Sequence, residues 1–192
     1  MPIQPVFPGG STASSSSDME LIYSDTVTGS SQDEFSTGTL PTGYKSLIID
    51  SSIRIDMATT AATSAMYFNG DQSASNYQIT RFDMANDGAI GDFRSAAFSY
   101  GPNVIGASGD AGFFSNCRII ISNPEGTVNY KSWKIQAGMH YDASDVNGMR
   151  GAEVYGVWKN TDAITSIVVD VGYLSGSPKL VAGSTFAVYG LK

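Results

Sequence analysis

Trp133-Lys134-Ile135-Gln136-Ala137-Gly138-Met139-His140-Tyr141 alternates from end to end. Trp133, Ile135, Ala137, Met139 and Tyr141 fall on one side; Lys134, Gln136, Gly138 and His140 fall on the other. Successive side chains of an extended chain point to opposite faces, so this period of two predicts a strand with one face buried. A helix would need apolar residues spaced both three and four apart, and no two of these are three apart.

The same period recurs outward in both directions. Leu47, Ile49, Ser51, Ile53 and Ile55 form one face of a second run, with Lys45, Ile48, Asp50 and Arg54 among their neighbours. Ile167, Val169, Val171 and Tyr173 form a third, with Asp170 outward. Further strands are expected at Leu21–Ser24, Met66–Asn69, Tyr77–Phe82, Ala96–Tyr100, Phe113–Ser122, Ala152–Trp158 and Thr185–Leu191. A short turn of helix is expected within Asp56–Ala65. Asn69-Gly70 and Asn147-Gly148 suit type I′ turns, because both central positions need positive φ. Asn123-Pro124-Glu125-Gly126 suits a type I turn ending on a left-handed glycine. It would join Phe113–Ser122 to Thr127–Tyr141 as a long hairpin. Asn86-Asp87-Gly88 and Ser175-Gly176-Ser177-Pro178 mark two more turns. About ten short strands between Gly-rich turns predict an all-β antiparallel sandwich of jelly-roll-like form.

Residues 1–18 stand apart as an extended N-terminal arm, and residues 19–192 form the sandwich domain. Pro2, Pro5 and Pro8 interrupt the arm, and Ser14–Ser17 is a serine run that cannot contribute to a core. Ile3, Val6 and Phe7 are its apolar groups and the candidate partner-binding residues. The opening residues lack a basic segment followed by an apolar one, so no secretory signal is read there.

Composition narrows the function classes. The 192 residues suit one domain, which at this length buries roughly 70% of the surface its unfolded chain exposes. Charged residues are 15%, below the soluble average of about 25%, so hydroxyls and amides supply the polarity. Such a surface costs less to dehydrate than a charged one; it suits packing against other protein and equally suits a loop-rich β protein. The net charge of −7 opposes binding to phosphate backbones and to anionic membrane surfaces. No stretch approaches the about 18 apolar residues of a membrane helix. The single cysteine, Cys117, excludes an internal disulfide and reads as a small buried hydrophobe.

The residues carry no recognisable catalytic machinery. His140 is the one histidine, on the polar side of its strand, with no nucleophile elbow or acidic partner placed beside it. No catalytic, cofactor-binding or metal-ligating residues are assigned, and no cofactor. Asp71 and Asp87 lie in loops, but neither loop has the spaced oxygens of an EF-hand. Of Asp50, Asp56, Asp71, Asp83, Asp87, Asp92, Asp110, Asp142, Asp145 and Asp162, most sit beside Gly, Asn or Ser, where Asp caps turns. Trp133 and Trp158 share faces with apolar residues and belong to the core. Tyr100, Tyr130 and Tyr155 are freer to meet a sugar ring or another subunit.

Ile53-Arg54-Ile55-Asp56, then Met66-Tyr67-Phe68-Asn69-Gly70-Asp71 and Ser75-Asn76-Tyr77, resembles a pattern in phage virion structural proteins of jelly-roll type. The ending Phe186-Ala187-Val188-Tyr189-Gly190-Leu191 is similar to the last strand of that group. The resemblance spans Met19 to Lys192 and leaves the arm outside it. It implies a sandwich that assembles on a virion, as a head decoration (cement) protein or as a tail or fibre component, and it supplies no catalytic residues. The leading expectation is a non-enzymatic capsid decoration protein, a homotrimer whose arm reaches another virion protein, either the major capsid protein or a tail component. The alternative is a tail-associated module binding host glycans through exposed aromatics. A hydrolase on a sandwich scaffold is the third reading, and it would need paired carboxylates in one groove.

Overall fold

The computed structural model describes residues 18–29, 32–85, 90–95, 99–140, 142 and 148–192, with the backbone alone at 85 and 90–95. Twelve strands are described: β1 (Met19–Thr26), β2 (Glu34–Ser36), β3 (Ser46–Ile53), β4 (Ala61–Phe68), β5 (Tyr77–Ala85), β6 (Ile90–Ser95), β7 (Tyr100–Ile105), β8 (Ser115–Ser122), β9 (Lys131–His140), β10 (Met149–Trp158), β11 (Ile167–Asp170) and β12 (Thr185–Leu191). They form an eight-stranded sheet, ordered β1-β12-β3-β8-β9-β10-β5-β6, and a four-stranded sheet, ordered β2-β11-β4-β7. Every pairing between these strands is antiparallel. The chain passes repeatedly from one sheet to the other, so the fold is an antiparallel β-sandwich.

The alternation that predicted β9 holds. Trp133, Ile135 and Met139 are buried, whereas Ser132, Gln136 and Gly138 are exposed. Leu47, Ile49, Ser51, Ile53 and Ile55 are all buried. Aromatic rings bridge the two sheets. Phe35 of the small sheet stacks on Phe186 of the large one at 5.4 Å between ring centroids. Phe68 meets Trp133 edge-on at 5.3 Å and Trp158 at 5.6 Å. Fully burying a side chain of this size is worth about 1.5–3 kcal/mol, so these contacts dominate the adhesion between sheets.

Several expectations are corrected. Asp56–Ala65 forms no helix: residues 57–60 are bends and β4 starts at Ala61. Pairing with β7 and β11 satisfies that backbone instead. Two of the strands were missed. Phe35 is the one apolar residue of β2, too short a run for alternation to register, and β6 comes after the turn expected at Asn86-Asp87-Gly88, which lies outside the described residues. The strand expected at Ala96–Tyr100 starts at Tyr100; residues 96–98 lie outside the description. Pro102 fits within β7 because β7 is an edge strand of the small sheet.

The turns are also revised. Asn69 and Gly70 both take positive φ, 54° and 70°, as a type I′ turn requires. They do not close a hairpin, because β4 and β5 lie in different sheets. The hairpin of β8 and β9 forms as expected, paired from Asn116↔Gly138 to Ser122↔Ser132, although β9 starts at Lys131 and not at Thr127. Its left-handed residue is Asn123, φ 51°, and not Gly126. Gly126 matters through space, since a Cβ there would lie 2.2 Å from the Asn123 side chain. The Ser175–Pro178 turn is present, with Gly176 and Ser177 at positive φ. Tyr173 leaves the core face of its run: β11 ends at Asp170, whose Oδ1 accepts the Gly172 N–H at 2.7 Å and turns the chain outward. Asn147 lies outside the described residues.

Candidate functional site

The motif residues come first, because they are internal struts. Arg54 is 9% exposed and follows β3. Its guanidinium donates to the carbonyls of Gly109 and Asp110 at 2.7 Å, of Phe113 at 2.9 Å and of Ala107 at 3.5 Å. One planar fork thus fixes the whole β7–β8 loop, a geometry that suits arginine. Asp56 Oδ1 accepts the Lys179 N–H at 2.7 Å. Asn69 Oδ1 accepts the N–H groups of Thr165 and Ser166, and its Nδ2 donates to the Ala163 carbonyl. Asp71 Oδ2 accepts from Trp158 Nε1 and Asn76 Nδ2, both at 2.8 Å. Burial raises the Asp71 carboxyl, but the bonds from Trp158, Asn76 and the Ser73 N–H outweigh it and hold it below its ordinary value. Tyr77 donates its hydroxyl to the Asp71 carbonyl and accepts the Phe68 N–H. The pattern Asn69-Gly70-Asp71 through Ser75-Asn76-Tyr77 is therefore one hydrogen-bonded corner joining β4, β5 and β10, with no group left for chemistry.

The open surface is the outer side of the eight-stranded sheet, facing away from β2-β11-β4-β7. Strand register arranges its side chains in rows running across the strands. One row reads Ala187, Asp50, Arg118, Gln136, Glu153 and Phe82. The next reads Tyr189, Ile48, Ile120, Lys134, Tyr155 and Thr80. On the other side lies a row of small residues, Thr185, Ser52, Asn116, Gly138 and Gly151, ending on Met84. Because Gly138 carries no side chain and has nothing over it, the row from Thr185 to Gly138 is the floor of a groove of about 930 Å³, closed beyond Gly138 by the Met84 side chain, which lies over Gly151.

The groove wall is cross-linked. Arg118 grips Asp50 through two bonds, Nε–Oδ1 at 2.7 Å and Nη2–Oδ2 at 2.8 Å. Glu153 accepts from Lys134 Nζ at 2.9 Å, Gln136 Nε2 at 3.1 Å and the Tyr155 hydroxyl at 3.2 Å. The Lys134 bond, then the Gln136 bond, hold the Glu153 carboxyl below its ordinary range. Asp50 and Glu153 stand three strand spacings apart, about 14 Å at the backbone. Glycosidase carboxylate pairs sit about 5–9.5 Å apart, and the acid of such a pair needs a raised pKa.

Other sequence-singled residues are placed as follows. His140 meets Phe113 edge-on at 5.0 Å between ring centroids. Cys117 is buried, and burial pushes its thiol up to about 12. Trp133 and Trp158 are core, whereas Tyr130 and Tyr155 are exposed. Asp87 and the candidate arm residues Ile3, Val6 and Phe7 lie outside the described residues. Reading the sequence missed the Asp50–Arg118–Gln136–Glu153 row. Each strand shows one polar residue in an alternating series, and only strand pairing sets the four side by side.

Comparison with family models, with curated proteins and with solved structures gave no match. What the fold and its surface define is a class: a two-sheet β-sandwich with one large sheet face that the described residues leave uncovered.

Proposed function

We propose that this chain is a non-enzymatic structural component of a phage particle, a capsid decoration protein that binds neighbouring virion subunits as a homotrimer. The observation that carries this reading is the way the arm joins the fold. Residues 1–18 lead directly into β1, an edge strand of the large sheet, whose Met19 and Leu21 are 48% and 54% exposed. An edge strand offers unpaired backbone groups, and apolar side chains beside it add area that a neighbouring subunit can bury. The register shift between Leu21 and Tyr23 bends that edge, which favours a specific neighbour over indiscriminate strand pairing.

The low charge density supports the same reading, as does the use of the shared sequence pattern for internal bracing. A non-enzymatic role is supported by the wide carboxylate spacing and by the lowered Glu153, which is unsuited to proton donation. The reading places the protein on the virion. Immunogold labelling of purified particles with an antibody to this chain tests it, with label expected over the heads. Label confined to tails would transfer the protein to the tail or fibre alternative, and particles without label would overturn the reading.

A further inference from the structure

We infer that the groove over Gly138 is a binding site for an uncharged oligosaccharide. Three observations select that ligand. First, charge is cancelled locally. Among the described residues lining the groove, the charged ones are Asp50, Arg118 and Glu153. Arg118 neutralises Asp50, and Lys134 neutralises Glu153 from the adjoining row. An anionic or cationic ligand would have to break a pair to gain one, so the site favours neither.

Second, the groove lies inside the sheet, over β12, β3, β8, β9 and β10, where the strands pair on both sides. Their backbone groups are committed to the ladder, so a peptide cannot be recognised there by strand addition, which needs an edge. Recognition falls to side chains. Thr185, Ser52, Asn116 and Gln136 bring hydroxyls and amides, which both donate and accept. Sugar hydroxyls do the same. The cross-linked wall is oriented before a ligand arrives, so little rotamer freedom remains to be lost on binding.

Third, the dimensions and ends fit. Five strands give a trough of about 19 Å, long enough for several linked rings. Tyr189 lines one end and Met84 the other, apolar surfaces suited to the C–H faces of a sugar.

Gly138 supplies the test. It lies in β9 at ordinary φ, and a Cβ there meets nothing within 4 Å. Gly138→Tyr therefore fills the trough without a clash in the sheet. The 192-residue protein is screened on an array of neutral gluco-, galacto-, manno- and N-acetylhexosamine oligosaccharides, with sialylated and sulfated counterparts. Hits are titrated by calorimetry. Binding to neutral members is expected, weakened at least tenfold by Gly138→Tyr and by Gln136→Ala, and unchanged by Tyr130→Ala, a residue 58% exposed and outside the groove. Gln136→Ala keeps the test sound if the tyrosine variant misfolds, because Gln136 is exposed. Absence of binding overturns the inference. So does binding confined to charged members, or binding that survives both groove variants. The assay needs no particle, so its failure leaves the virion role standing, and loss of the virion role leaves the groove standing.

Discussion

Individual residues are where environment overrides chemical type. Cys117 is a thiol by composition and inert by placement. It is fully buried, and burial raises it to about 12. The thiolate is the reactive form, so native protein at pH 8 should resist a thiol reagent and react with one equivalent once unfolded. Labelling at an appreciable rate in the native state would show that the β8 core opens. Gly70 is set by conformation alone: its φ is 70°, and its Cβ direction is empty. Gly70→Val should cost roughly 1–3 kcal/mol through strain at a β-branched residue, read as a lower urea midpoint with unchanged slope. An unaltered midpoint would mean that the corner tolerates another backbone geometry.

Elements are held by polar residues that close one strand or loop onto the next. Arg54 organises the β7–β8 loop by donating to four carbonyls from the end of β3. Lysine keeps the charge but not the planar fork. Arg54→Lys should therefore lose about 1–3 kcal/mol by leaving the buried Gly109 carbonyl and its part-buried neighbours short of donors, checked by chemical denaturation and by faster amide exchange in 106–114. On the open face, Glu153 is held low by Lys134 and Gln136. Its contribution is full above its ordinary value of 4.5 and is lost as pH falls through the lowered native value. A carbon-detected carboxyl titration should place its midpoint below 4.5 in native protein, and Lys134→Met should move it upward. A midpoint insensitive to Lys134 would show that the pair is not formed in solution.

At the scale of the whole molecule, the sandwich is expected to fold without the arm. Residues 27–188 supply the buried cluster that holds the two sheets together. Burying such side chains yields about 1.5–3 kcal/mol each, offset by about 1–2 kcal/mol for each residue ordered. One arm would bind weakly, and several on one oligomer would bind through avidity. Deleting residues 2–17 should leave the melting transition unchanged. Its mass by light scattering should stay near three times that of the truncated chain, against three times 20.3 kDa for the full-length protein. Incorporation into particles should be abolished. Full occupancy by the truncated protein would reduce the arm to an ordinary tail.

Strand identity was legible wherever one face is buried, because a period of two writes burial into the residue order. That is why β3, β9 and β12 could be read directly, and why three-residue β2 could not. Asn69-Gly70 announced a turn because positive φ at both positions is a local demand. Whether the turn closes a hairpin or crosses between sheets depends on which strands β4 and β5 pair with, a long-range choice that no local pattern carries. The groove belongs to that second kind. Asp50, Arg118, Gln136 and Glu153 come from four strands and become neighbours only through register, and Gly138 reaches the groove floor beside Asn116 only through the β8–β9 pairing. Local sterics and hydrophobic alternation thus set the elements, and backbone pairing between distant strands assembled the surface.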